Sequence, residues 1–440
     1  MPQQLPPGPP FTPWDLIKAI INPDATLLKY MKRYGDPFTT RMMGPPTVMS
    51  CSPEGARALL TADPEYFDLP NPDMLAPLLG ENSLLLLSGD RHRRERKMLN
   101  PHLRGERMRA YGDVMKNVAL RQAEMWRVGQ PFRILDAMQD ISIEVIIRAI
   151  FGVSSDRVEA FKRAVLEFVR AFTPPLVFFG WLRRSMGGLG PWDRFVAARM
   201  HLDRLIDEEV SRRRANSELG DDILSLLLDV RYDDGTQLER QQIRDQLVTL
   251  LFTGHETSAI ALSWAFYLLH RNPEILRRLH SELSTLGPNP ESEAVAQLPF
   301  LSAVCNETLR LHPVVVVIPL RQVRIDFDFM GYTLPPKTQV SIGTSVIHKR
   351  EDIFPEPLAF RPDRFLDRTY SPFEYFPFGS GSRRCIGAAF ALYEIKIVLA
   401  TLLSRYRLSL VSDAPVRDVR RTTMMGPSGG IPMVVTSRLS

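Results

Sequence analysis

Cys385 stands in the stretch FPFGSGSRRCIGAAFALYEIKI, Phe376–Ile397, after a glycine-serine turn and two arginines and ahead of a helix-like apolar run. Three chemistries are open to such a residue: a packed apolar thiol, a nucleophile or a metal ligand. Packing is the commonest fate of a free cysteine. Against it, glycines at 379, 381 and 387 relax the backbone near the sulfur. The run IGAAFALYEIKIVLA reads as a helix opening there, whose free N–H groups favour a thiolate. A thiolate nucleophile needs a base, and no histidine is close in sequence, although folding can bring one. A zinc or iron-sulfur centre needs several more thiolates or imidazoles. The other two cysteines, Cys51 and Cys305, lie too far off to form a Cys-x-x-Cys pair.

A second candidate is TGHETS, Thr253–Ser258, inside the long apolar stretch Leu247–Leu269. His255 and Glu256 open a His-Glu-x-x-His pattern, but Ala259 occupies the place of the second histidine, so a zinc helix fails. A Thr257 hydroxyl bonded back to the carbonyl of residue 253 would loosen the helix locally. The plain alternative is a back-bonded threonine beside a solvated glutamate. The stretch is long enough to span a bilayer, yet ionisable groups are costly at its centre. A buried helix carrying a functional break is expected instead. Glu307 and Arg310 in ETLR share a helix face, a pair worth about 0.2–0.5 kcal/mol at a surface. RHRRERK, Arg91–Lys97, reads as a solvated face or a nucleic-acid patch. Within it His92 and Arg96, four apart, share one side.

A lone thiolate suits haem iron, where one axial protein ligand is enough. Phe378, Gly381, Arg383, Cys385 and Gly387 match, at every defined position, the haem-binding signature Phe-x-x-Gly-x-Arg-x-Cys-x-Gly of the cytochrome P-450 family, which the chain therefore resembles. The resemblance implies Cys385 as the axial ligand of haem b, Phe378 packed near the sulfur and Arg383 on a haem propionate. TGHETS resembles the family's oxygen-activating helix, with Thr253 departing at its first position. That match implies Gly254 passing close over the haem and Glu256 and Thr257 relaying protons to dioxygen. Glu307 and Arg310 match the family's Glu-x-x-Arg, and Arg364 in RPDRF supplies the third member of a structural lock on the cysteine loop. His92 and Arg96 resemble a propionate-binding pair, with His92 in place of a frequent tryptophan. Arg321, ten residues before Gly331, resembles another propionate position, beside the alternative of a strand-edge arginine facing water.

The elements that must position these groups are legible as pattern. Apolar residues recur at three- and four-residue spacing from about Arg91 to His312. Strand-like runs flank that region at about 37–52, around a Gly-Pro-Pro turn, and at about 321–346, where Val323, Ile325, Phe327 and Phe329 alternate with polar residues. Because the β parts sit on both sides of the helices, cutting the chain would strand half a sheet. A single mainly α domain over 1–440 with a small β portion is expected, with the haem loop at 376–387.

Of 440 residues, 44% are hydrophobic and 24% charged, which excludes disorder and fibres. The opening MPQQLPPGPPFTPWDLIKAII has no charged segment followed by an apolar core. With three scattered cysteines this favours a soluble protein of a reducing, cytoplasmic compartment. The net charge of +5 is weak ground for nucleic acid. The resemblance implies a monooxygenase using O2 and a ferredoxin or flavodoxin-like electron donor with its reductase, docked on a basic surface. No membrane span, no nucleic acid and a monomer are expected. The resemblance implies a pocket lined by segments that include AFTPPLVFFGWL, PVVVVIPL and MMGPSGG; as these are mostly apolar, a hydrophobic substrate such as a fatty acid or terpenoid is expected, with Arg183 and Arg184 as candidate contacts for a carboxylate. The rivals are a peroxide-driven peroxygenase and a binding protein built on the basic 91–97 helix.

Overall fold

The computed structural model describes residues 5–41, 44–103, 107–171, 173, 175, 176, 180–216, 220–232, 235–421 and 424–439. Its axis is the helix Arg240–Arg271, which starts at a reciprocal capping box between Glu239 and Gln242 and stops at Asn272, before Pro273. The helix is buried on all sides through its second half, because Ala259–Leu269 is apolar around the whole circumference. Helix Ile134–Phe151, equally apolar, packs along it and ends at Gly152 in the left-handed region. Helix Ala388–Arg405, which follows the cysteine, packs against both Arg107–Glu124 and the long helix. These elements and their neighbours share one apolar core.

The β portion sits beside a smaller core. Its five-stranded sheet runs Phe38–Thr40, Thr47–Ser50, Gln339–Ile342, Arg321–Val323, Phe67–Asp68. Thr47–Ser50 pairs in parallel with Gln339–Ile342, so residues nearly 300 positions apart close one sheet. A three-stranded sheet joins Pro131–Arg133, Pro432–Arg438 and Tyr406–Leu410, and a separate hairpin joins Asp418–Arg421 to Met424–Pro427. The mainly α class with a small β portion is as expected.

Two local expectations are refined. The alternating run at 323–329 is two strands, Arg321–Val323 and Phe327–Phe329, with Ile325 exposed between them. The chain bends there as Arg324 N–H turns to the Tyr66 carbonyl at 2.8 Å. The expected break in the long helix is absent, and the helix runs unbroken through Gly254–Glu256. In the first hairpin, Met42 and Met43 lie outside the described residues, as do Phe172, Pro174, Val177, Phe178 and Phe179 of the proposed pocket segment. Among the described residues, no helix is long and apolar enough to cross a membrane.

Candidate active site

Cys385 follows a single 3-10 turn, Gly381–Arg383, and its N–H donates to the Phe378 carbonyl at 2.8 Å, closing the loop on itself. Gly381 is required twice over. Its φ is +69°, and a Cβ there would stand 2.1 Å from the Leu60 carbonyl oxygen, so the loop presses directly on helix Pro53–Thr61. Phe378 packs at the edge of the main core.

The three thiols differ in kind. Cys51 and Cys305 are buried, and burial pushes both up, Cys305 to about 12. Cys385 is exposed, although protein crowds it closely enough to raise its thiol as well, against the Gly387 N–H and the charges of Arg96 and Arg384. The sulfur thus has an open approach on one side and dense protein on the others. The expected helix-end stabilisation is present in the Gly387 N–H, but burial outweighs it. A thiolate here needs a cation of its own, which a coordinated metal supplies.

Beside the cysteine loop, three guanidiniums and one imidazole converge. His92, 5% exposed, is driven down to about 4 by burial and by Arg383 and Arg96. Arg383 is lowered to about 10 by burial and Arg96, and Arg321 to about 10 by burial and Arg383. Arg383 donates to the Leu87 carbonyl at 2.6 Å, Arg96 to that of Arg384 at 2.5 Å and Arg321 to that of Leu59 at 3.0 Å. Arg321 Nη2 is buried without a partner. Among the described residues, no carboxylate pairs with His92, Arg321 or Arg383. Buried like charges are costly unless an anion joins them. An orphaned guanidinium N–H among three arginines and a neutral His92, next to an accessible sulfur, fits a flat group carrying a metal at its centre and carboxylates at its edge. Arg321 is buried, so the water-facing alternative for it does not hold.

On the long helix, Thr257 Oγ1 donates to the Thr253 carbonyl at 3.0 Å, as expected. Thr253 and Thr249 donate in the same way to residues 249 and 245. The helix stays intact because each hydroxyl shares a carbonyl rather than replacing an N–H. A Cβ at Gly254 would meet Ile146 at 3.1 Å, so the missing side chain also serves packing against helix Ile134–Phe151. Glu256 is ion-paired with Arg421 at 3.3 Å, a partner 165 residues away that nothing in the local sequence announces.

Glu307, Arg310 and Arg364 come together in the interior. Arg310 grips both oxygens of Glu307 at 2.7 and 2.9 Å, and Arg364 donates to Oε1 at 3.0 Å. The two guanidiniums also reach the carbonyls of His348, Pro357 and Pro355. This is no surface pair; it ties helix Pro299–Leu311 to the loop before the cysteine. His348, which the sequence did not single out, adds a further tie by accepting the Phe376 N–H at 3.0 Å. Arg183 donates to the carbonyls of Leu176, Asp73 and Met74, so its fork is engaged with backbone, while Arg184 is exposed.

Glu394 is a further residue missed from sequence, although its signal was there: it lies on the apolar face of its helix with Phe390, Ile397 and Val398. Burial raises its carboxyl from 4.5 to about 7, with Ser258 and Ser142 pulling the other way, and Oε1 has no partner. Folding favours the protonated form. Its contribution is full below about pH 4.5 and is lost as pH rises through about 7, a span worth about 3 kcal/mol. Urea unfolding at pH 5 and pH 8 should show the wild type losing stability relative to Glu394→Gln, which stays neutral. Equal pH slopes would contradict this account of Glu394.

Among the described residues, no cluster of three or more His, Cys, Asp or Glu could hold a metal between them. The family model for cytochrome P-450 matches residues 2–432. The chain belongs to the cytochrome P-450 family. Among the P-450s it resembles, cytochrome P-450 138 of Mycobacterium tuberculosis is 32% identical over 421 residues, covering 93% of this chain and 91% of its own length. Cytochrome P-450 135B1 of the same organism is 30% identical over 406 residues, covering 91% and 84%. Among solved structures, the retinoic acid-bound cyanobacterial CYP120A1 matches with a TM-score of 0.87 at 25% identity, over 99% of this chain and 100% of that one. The cytochrome P-450DA haem domain matches at 0.85 and 24% identity, over 98% and 97%. The protein is thus a P-450 monooxygenase, an oxidoreductase of a family that carries haem b on a cysteine thiolate and generally uses O2 and redox partners.

Proposed function

We propose that Cys385 is the axial ligand, that His92, Arg96, Arg321 and Arg383 receive the haem propionates, and that the enzyme inserts one oxygen atom of O2 into an unreactive C–H or C=C bond of a hydrophobic substrate. The observation that carries this reading is the one exposed thiol among three cysteines, set beside converging guanidiniums of which Arg321 keeps a buried Nη2 without a hydrogen-bond partner. Haem held by a thiolate supplies O2 activation and O–O cleavage.

The chain's own part is positioning and proton movement. Glu307, Arg310 and Arg364 brace the cysteine loop, and Gly381 lets it dock on Leu60. Thr257 holds its hydroxyl at the Thr253 carbonyl, where it would hand on a proton, and Glu256 would replace that proton from the solvent side. A fatty acid or terpenoid fits the apolar lining expected around Val314–Ile318 and Met424–Pro427; the similar cyanobacterial structure holds retinoic acid, a carboxylic acid on an apolar chain. Electrons come from a ferredoxin or flavodoxin-like donor with its reductase, attracted by exposed arginines and lysines such as Arg91 and Lys97. We assign the working form to a cytoplasmic monomer.

The nucleic-acid alternative is disfavoured by how the basic helix spends its charge. His92 and Glu95 are buried, Arg93 pairs with Asp90, and Arg94 lies over Tyr232 at 3.5 Å. Thr257→Ala should keep its haem but divert electrons from product to hydrogen peroxide, read as the ratio of peroxide to product. Unchanged coupling would remove Thr257 from the relay. Equal or better turnover with peroxide alone than with donor and O2 would favour a peroxygenase instead.

A further inference from the structure

Arg421 ends the outer strand of the hairpin Asp418–Arg421/Met424–Pro427, and its Nε donates to Glu256 Oε1 at 3.3 Å. Its path to the long helix depends on Gly426 in the facing strand. A Cβ at Gly426 would stand 2.8 Å from Arg421 Cδ and 3.3 Å from the Ile260 side chain. The backbone of Gly426 is not left-handed, so what glycine supplies there is space. The arginine stem therefore lies in a notch between hairpin and helix. At the hairpin's other end, the Asp418 carboxylate contacts His312 Nδ1 at 3.0 Å, and the His312 ring lies flat on Trp264 of the long helix, 3.7 Å between centroids. Met425 N–H also donates to the Val314 carbonyl at 3.0 Å. The hairpin is thus held at both ends, by Asp418 on His312 and by Met425 on Val314, and at the Met425 end it also carries the guanidinium joined to the acid that precedes Thr257.

We infer that Arg421 is a positioning residue that holds the Glu256 carboxylate against the C-terminal hairpin, so that the position of the hairpin governs when Glu256 can serve the proton relay. This rests on the proposed relay through Glu256 and Thr257. To take a proton from water and pass it to Thr257, Glu256 has to give up its contact with Arg421; Thr257 then gives one proton on and receives one, with no electron moved. The buried side chains of Met424 and Met425 belong to the same hairpin.

The test uses the haem-loaded enzyme with an electron donor and O2, comparing Arg421→Met, Arg421→Lys and Gly426→Ala. Without substrate, Arg421→Met is expected to raise peroxide-forming electron consumption several-fold. Gly426→Ala, which displaces the arginine stem without removing its charge, should do the same in smaller measure. Arg421→Lys should restore most of the wild-type behaviour, and in a Glu256→Gln background Arg421→Met should add nothing. A second readout needs no turnover: phenylglyoxal labelling of Arg421, followed by peptide mass spectrometry, should quicken in Glu256→Gln. An unchanged leak in both Arg421→Met and Gly426→Ala, an equal increment in the Glu256→Gln background, or unaltered labelling would overturn the inference. Should Thr257→Ala and Glu256→Gln both leave coupling untouched, the relay itself falls, while the labelling still decides whether Glu256 holds Arg421.

Discussion

Glu307→Ala is expected to cost about 3–5 kcal/mol of stability and to release haem, because it strands two guanidiniums in the interior. Glu307 accepts from Arg310 twice, from Arg364 and from the Arg361 N–H at 2.9 Å, and the side chains of Glu307 and Arg310 are fully buried. The effect should spread along the chain to the cysteine loop, since Arg310 and Arg364 also hold the carbonyls at 348, 355 and 357. Chemical unfolding together with the fraction of haem retained after gel filtration would read it. Full haem retention with an unshifted midpoint would show that the cluster does not brace the loop.

Replacing Cys385 by alanine should abolish monooxygenase turnover and remove the thiolate signature of the reduced carbon monoxide complex, with the fold kept. The side chain is exposed, so truncation removes little packing. Cys51→Ala and Cys305→Ala should behave in the opposite way: both thiols are wholly buried, so the cost falls on stability while the spectrum stays. Retained turnover in a folded Cys385→Ala enzyme would contradict the assignment of the ligand.

How much of this was readable in advance depends on the distance over which each feature is encoded. Cys385, Arg383 and Gly381 sit in one short loop, where turn glycines, a helix start and a fixed spacing are all local. The mainly α class followed from helical periodicity across the middle of the chain. The Glu307–Arg310 pair was visible as a helix-face spacing, but its burial was not, since that depends on loop 355–364 folding over it. The alternation at 323–329 looked like one strand; the bend at Arg324–Asp326 arises from pairing with residues 66–68, far off in sequence. Arg421 and Gly426 carried no local signal at all, because their roles exist only once the C-terminal hairpin lies on the long helix. Glu394 carried one, a carboxylate on an apolar helix face, and it marks a buried polar site that periodicity alone reads as core.

The central claim is that the Cys385 thiolate holds the haem iron, and the absorption spectrum of the reduced, carbon monoxide-bound wild-type protein tests it most directly. A strongly red-shifted Soret band, lost in Cys385→Ala, is the predicted result. A Soret band without that shift, as imidazole ligation gives, in correctly folded and haem-loaded wild-type protein would contradict it.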